Sequence, residues 1–199
     1  GDVYNFYASR HGRDSLDDAG MPLLATVRYC PAGGDCPYRN AFWMGTQMVY
    51  GQGYAAADDI VGHEMTHGVT ERESRLFYYM QSGAINEAFS DIWGEFIDLS
   101  NRRGNDSASA RWLIGEDSPQ GAFRSLSDPP AYGSPDRMTS DLYVCGTLDN
   151  GGVHSNSGVG NKAAYLMAEG GQFNGQTVVG LGIDKTIAIW YEVQTNLLT

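Results

Sequence analysis

His63-Glu64-Met65-Thr66-His67 constrains this chain more than any other segment. Its spacing asks for a helix. Residues four apart on a helix project to nearly the same side, so His63 and His67 can hold one metal ion between them. Glu64 sits one residue off that axis, close enough to reach a water on the ion without ligating it. Such a pair with an adjacent glutamate points to zinc and hydrolytic chemistry. The competing reading is two partly buried histidines on an amphipathic helix.

The chain has 199 residues and 42% hydrophobic content, enough to bury a core in one or two compact units. A net charge of -11 argues against binding a phosphate backbone or an anionic membrane. No run approaches the roughly 18 apolar residues of a membrane span. The opening residues, Gly1 to Tyr7, read as the middle of a folded domain and not as a leader. Cys30 and Cys36 flank a short flexible loop and are expected to bond to each other. No second cysteine pair accompanies them, which argues against a structural zinc site. Cys145 is then the odd one, expected to be free or to pair with a segment this chain lacks.

Along the chain there are no repeats and no low-complexity tract. Val3 to Arg10 reads as the end of a helix, Leu23 to Tyr29 as a strand, and Asn40 to Tyr50 as a second extended segment. The motif helix is expected over Ala55 to Ser74. A second helix should run from a Ser82 cap to about Asn101, with Ile85, Phe89, Ile92, Trp93, Phe96 and Leu99 as its buried stripe. Arg102 to Asp141 reads as loop, interrupted by prolines. Two more helices are expected over Asn156 to Gly170 and Asp184 to Leu198. The fold class is α+β, with a β-containing part over 1–74 and a mainly helical part over 75–199. The motif helix would floor the cleft between them.

Several further segments in the same order resemble the thermolysin family of secreted zinc endopeptidases. They are Asn40-Ala41-Phe42-Trp43, Gly83-Ala84-Ile85-Asn86-Glu87-Ala88, Trp112-Leu113-Ile114-Gly115-Glu116-Asp117, Asp149-Asn150-Gly151-Gly152-Val153-His154 and Asn161-Lys162-Ala163-Ala164-Tyr165. The resemblance makes Glu87 the third zinc ligand beside His63 and His67. Two imidazoles and one carboxylate leave a fourth position open, as catalytic zinc requires; this ligand set is a general property of thermolysin. Glu64 becomes the general base. His154 and Tyr78 would hold the oxyanion, with Asp149 orienting His154. Asp91, one helical turn beyond Glu87, is placed to orient a zinc imidazole.

The same resemblance makes Asn40, Ala41 and Trp43 part of an edge strand that pairs with an extended substrate. Arg124 would bond a substrate carbonyl, and Ile60, Ile114 and Phe123 would line the pocket for the residue after the scissile bond. Asp59 and Glu116 match calcium ligands and Asp98 replaces a longer, usually glutamate, one, but Arg111 stands where family members carry an aspartate. The expectation is that Arg111 neutralises these carboxylates directly, with a bound calcium as the alternative. The implied function is a secreted, monomeric zinc endopeptidase made as a zymogen, acting on proteins and peptides at hydrophobic residues. Against family members the chain looks trimmed at both ends. The alternatives are a truncated zinc-binding fragment of little activity, or a zinc aminopeptidase. The latter is disfavoured because Asn40-Ala41-Phe42-Trp43 stands where an amino-terminus-binding acidic segment would be.

Overall fold

The computed structural model describes residues 1–198; Thr199, the last residue of the expected helical part, lies outside them. Two helices form its centre, α2 (Asp58–Arg72) and α3 (Met80–Asn101). α2 opens on Asp58 and Asp59 and closes on Arg72, so acids meet the positive end of the helix dipole and a base the negative end. It is shorter than expected at both ends. Tyr54–Ala56 forms a separate 3-10 turn. After Arg72, the backbone N–H of Arg75 folds back to Thr70 O at 2.7 Å from a left-handed conformation, which ends the helix.

α3 begins at Met80, after Tyr79 in extended conformation, and Ser82 does not cap it. The expected single buried stripe is also corrected: every residue from Asn86 to Asp98 is buried, while Ile85 is 41% exposed. The cause is that α3 has neighbours on all sides, namely α1 (Asp2–His11), α2, α4 (Asp149–Asn156) and α5 (Gly158–Glu169). Against α2 it approaches through glycine. A Cβ on Gly94 would lie 2.4 Å from the Asp59 carbonyl oxygen, so no larger residue fits there. Glu87, Asp91 and Asp98 share the face of Gly94 at three- and four-residue steps, and this close crossing presses them towards α2.

A small sheet with order β1-β3-β2 packs beside α2 and comprises β1 (Ala25–Thr26), β2 (Ala41–Trp43) and β3 (Met48–Tyr50). The expected long strand over Leu23 to Tyr29 shrinks to two residues. Asn40 to Tyr50 is a hairpin, Phe42 opposite Val49, because Met44 N–H bonds Gln47 O at 3.1 Å and reverses the chain. β2 is therefore an edge with one unpaired side.

The second part adds two short antiparallel pairs, β4 (Leu113–Ile114) with β5 (Arg124–Ser125) and β6 (Gly170–Phe173) with β7 (Gln176–Val179). β4 and β5 lie inside the stretch expected as loop. α6 (Ile183–Glu192) runs into a wider π turn, Val193–Leu197. Gln194 of that turn is buried, accepts from Trp93 Nε1 at 2.7 Å and donates to Thr70 Oγ1 at 2.9 Å. The core is built on α3: Phe89, Trp93 and Phe96 pack with Phe6 and Tyr7 of α1 and with Trp112 and Leu126. Each such fully buried side chain contributes about 1.5–3 kcal/mol relative to exposure. The architecture is α+β, with helices dominating the second part.

Candidate active site

His63 and His67 lie one turn apart on α2, their Nε2 atoms 3.1 Å from each other. Glu87 of α3 faces both, with Oε2 3.4 Å from His63 Nε2 and Oε1 3.4 Å from His67 Nε2. The three donors converge within 4.8 Å, and no other trio of His, Cys, Asp or Glu does so among the described residues. Glu87 is fully buried, and its Oε2 has no hydrogen-bond partner. A cation held by these three side chains would satisfy that oxygen. Two imidazoles and one carboxylate fit zinc with one position left open.

The other side of each imidazole is held. His63 Nδ1 lies 2.9 Å from Asp91 Oδ1, as expected from the sequence. His67 Nδ1 lies 2.8 Å from Asn86 Oδ1 and 3.1 Å from Ser90 Oγ, partners the sequence reading did not identify. Both occupy the α3 face that carries Glu87, which is the signal that could have found them. A proton on each Nδ1 leaves Nε2 a lone pair for metal. Asp91 also accepts from Arg124 Nε at 2.8 Å and Nη2 at 2.5 Å, and from Asn161 Nδ2 at 2.8 Å. Burial alone would raise its carboxyl, but Arg124 and then His63 more than offset this and hold it below the ordinary range. Glu87 is likewise lowered: burial opposes ionisation, and His67, His63 and His154 favour it more strongly.

Glu64 is buried beside these ligands, and burial pushes its carboxyl up to about 7 despite nearby His67. Across the site, Tyr78 donates its hydroxyl hydrogen to Glu87 Oε1 and lies 3.2 Å from His154 Nε2. His154 Nδ1 lies 2.7 Å from Asp149 Oδ1, and its backbone N–H donates to Asp149 Oδ2 at 3.0 Å. This pairing depends on a backbone reversal within α4, where Asn150, Gly151 and Gly152 have φ of 50°, 91° and 74°. A Cβ on Gly152 would meet the Val144 side chain at 2.5 Å, so the reversal needs glycine for space as well as for φ.

These groups face a cleft of about 720 Å³. Asn40, Ala41 and Trp43 line it from the β2 edge, Ile60 from α2, and Ile114, Phe123 and Arg124 from β4, β5 and their connection. The cleft also takes in Glu71, Arg75 and Leu76 at the other end of α2, which the sequence reading left without a role. Arg124 is committed to Asp91 and sits 4.8 Å over the Phe123 ring, so its position at the cleft wall is fixed from behind.

Asp59, Asp98 and Glu116 do cluster, one turn before His63, and Glu95 joins them. Asp59 accepts from Gly115 N at 2.5 Å and Glu95 from Trp112 N at 2.5 Å. One oxygen each of Glu95, Asp98 and Glu116 is buried without a partner. Burial, with neighbouring carboxylates adding to it, pushes Asp59 up to about 6, Glu116 to about 8 and Asp98 to about 10. Arg111 does not neutralise them as expected. Its Nη2 lies 3.4 Å from Glu169 Oε1 at the surface, where the guanidinium keeps its hydration instead of losing it among buried groups. Cys30 and Cys36 are bonded, and Cys145 is free and exposed.

Two family models match the chain: the thermolysin metallopeptidase catalytic domain over residues 1–71 and the thermolysin metallopeptidase alpha-helical domain over residues 74–199. A zinc metalloproteinase of Renibacterium salmoninarum is 48% identical over 94% of this chain and 36% of its own length. A bacillolysin of Bacillus cereus is 46% identical over 100% of this chain and 35% of its own. The chain thus spans about a third of the curated relatives it matches. Among solved structures, the precursor of protealysin, a metalloproteinase from Serratia proteamaculans, superposes with a TM-score of 0.77 at 36% identity, covering 98% of this chain and 63% of that one. Matched over nearly its whole length by both models, the chain belongs to the thermolysin metallopeptidase family.

Proposed function

We propose that this chain is the catalytic core of a zinc endopeptidase that cleaves internal peptide bonds on the amino side of hydrophobic residues. The observation that carries this reading is the convergence of His63, His67 and Glu87 beside buried Glu64 on the floor of an open cleft. Zinc held there would lower the pKa of a coordinated water towards about 7 and polarise a carbonyl oxygen. The unpaired side of β2 offers backbone N–H and C=O groups to an extended substrate, so Asn40, Ala41 and Trp43 fix its register. Ile60, Ile114 and Phe123 receive the apolar side chain that follows the scissile bond. Arg124, anchored by Asp91, keeps guanidinium hydrogens for a substrate carbonyl next to that pocket. Glu64 takes the proton released by the attacking water and delivers it to the leaving amine. His154 and Tyr78, the latter by turning its hydroxyl hydrogen away from Glu87, donate hydrogen bonds to the oxygen of the reacting carbonyl as it gains charge. Asp149 holds His154 in the orientation this needs.

Three further assignments belong to the same reading. Asp59, Asp98 and Glu116, with Glu95, would hold calcium after drawing closer than they stand, supported by one unpartnered buried oxygen each on Glu95, Asp98 and Glu116 and by the preference of calcium for clustered carboxylates. The division at residues 74 and 75 is supported by the two family models, which meet between residues 71 and 74. Secretion is supported by the Cys30–Cys36 disulfide, since such bonds persist in oxidising compartments. No helix of the described residues is long and apolar enough to cross a membrane.

The test is a cleavage map of a mixed peptide library by mass spectrometry, with zinc supplied. New amino termini should begin with Leu, Phe, Ile or Val. A map dominated by charged residues would contradict the pocket assignment. Stepwise loss of single residues from amino termini would instead favour an aminopeptidase.

A further inference from the structure

The cleft continues past His67, and its far end carries a cation that nothing among the described residues neutralises. Along α2, Ile60 precedes His63 by about one turn, and Glu71 follows His67 by one turn on the same face. The floor therefore runs from the apolar pocket, past the metal-binding side chains, to Glu71 and then to Arg75, and all of these line the cleft. Its charged neighbours are engaged. Glu71 accepts from Trp43 Nε1 at 2.7 Å. Arg72 donates to Gly68 O at 3.0 Å and lies 5.6 Å over the Trp43 ring. Glu71 and Arg72 are also 3.9 Å apart. Arg124 is held by Asp91. By contrast, among the described residues no carboxylate lies within 4.0 Å of the Arg75 guanidinium, and its side chain makes no hydrogen bond.

A second observation concerns the backbone of Arg75, whose left-handed conformation is shared by nine other non-glycine residues, Arg28 and Arg102 among them, but which here stands at the cleft. Its φ is 49°, at the helix-ending position where glycine is favoured because a side chain there is strained. An arginine in that place costs backbone energy that no ion pair or hydrogen bond of its side chain among the described residues returns. The segment is also fixed in place, because Asn86, which holds His67, donates to Leu76 O at 3.3 Å.

We propose that Arg75 is a specificity-determining residue that selects an acidic side chain on the amino side of the scissile bond. The position follows from helix and strand dimensions. The last residue of α2, Arg72, lies five residues or about 7.5 Å beyond His67 at roughly 1.5 Å per residue, and Arg75 folds back onto that end through its N–H to Thr70 O at 2.7 Å. An extended substrate advances about 3.3 Å per residue, so Arg75 meets the second or third residue before the cleaved bond. The direction rests on the proposed endopeptidase reading, which places the residue after the bond in the pocket of Ile60, Ile114 and Phe123. A solvent-exposed ion pair of this kind amounts to a preference of about 2- to 5-fold, weakened by salt.

The experiment measures kcat/KM, with zinc supplied, for peptides with leucine after the scissile bond and Asp, Asn or Lys at each of the four preceding positions. Wild type should prefer Asp over Asn at the second or third position by about 2- to 5-fold, with the preference fading at 1 M salt. Arg75→Gln should bring the ratio to about one, and Arg75→Glu should invert it towards Lys. Arg75→Gly removes the strain, so it should melt at a higher temperature while also losing the preference. That pairing separates selectivity from folding. Wild type that cleaves the Asn peptides with no Asp preference at any position, or a preference that survives Arg75→Gln, would overturn the inference. If wild type cleaves no peptide of the set, the endopeptidase reading falls and the inference falls with it.

Discussion

Asp91→Asn removes one charge and almost no volume, yet it strikes the most connected side chain behind the metal ligands. In the wild type this buried carboxylate accepts two hydrogen bonds from Arg124 and one from Asn161, and it faces His63 Nδ1 at 2.9 Å. The Arg124 side chain is only 15% exposed, so loss of the anion strands a largely desolvated guanidinium. Breaking a buried pair in this way costs about 3–5 kcal/mol. Zinc affinity should fall about 10- to 100-fold as well, because His63 loses its anionic partner. Urea unfolding of zinc-free protein measures the first effect, and competition with a chelating dye measures the second. Arg124→Met in the Asp91→Asn background should recover part of the loss, with a coupling of about 1–3 kcal/mol in the double-mutant cycle. Because the folded carboxyl titrates below its ordinary value of about 3.9, its contribution is complete above that pH and is lost only as pH falls through the folded value. The stability difference between Asp91→Asn and wild type should thus stay level from about pH 5 to 9 and shrink in acid. A loss under 1 kcal/mol, or additive single substitutions, would refute this picture of the ligand support.

His154→Ala should lower kcat/KM by about 10²–10³ with zinc content unchanged, as expected for one donor to the reacting carbonyl; loss of zinc instead would make His154 structural. Phe123→Leu should widen the apolar pocket and raise the relative rate for peptides with large aromatic residues after the scissile bond, checked by paired Phe and Leu substrates. With zinc saturated and calcium withheld, the raised carboxyls of Asp59 and Glu116 favour the folded state only while protonated. Stability should therefore fall from about pH 4, where the unfolded carboxyls ionise, levelling off at about 6 for Asp59 and about 8 for Glu116. Calcium should raise the melting temperature more at pH 8 than at pH 5, and no calcium effect at pH 8 would remove that site.

What was legible in the sequence was what helix geometry alone determines. The four-residue spacing of His63 and His67 and the helical setting of Glu87 and Asp91 translate directly into a shared face, and the structure brings these four together. Asn86 and Ser90 were within reach of the same logic, since they flank Glu87 on α3. Other features depend on packing that no local pattern records. α3 is buried all round because four helices surround it, so its stripe of large apolar residues understated its burial. Leu23 to Tyr29 has strand composition, but only Ala25 and Thr26 find a partner in β3. Arg111 departs from the expectation because a long cation among acids in sequence still chooses between a buried cluster and a solvated surface partner, and hydration decides for Glu169. The reversal at Asn150 to Gly152, which lets Asp149 reach His154, was hidden in what reads only as a flexible Asn-Gly-Gly run.

The central claim is that a buried Glu64 performs proton transfer at a site held by His63, His67 and Glu87. The most direct test is the rate of peptide hydrolysis by Glu64→Gln, measured together with its zinc content. Gln keeps the shape and removes the base, while all three ligands remain. One zinc per chain and a rate lowered by about 10²–10⁴, the usual contribution of a positioned base, are expected. A zinc-loaded variant that hydrolyses peptides within tenfold of wild type would contradict this role for Glu64.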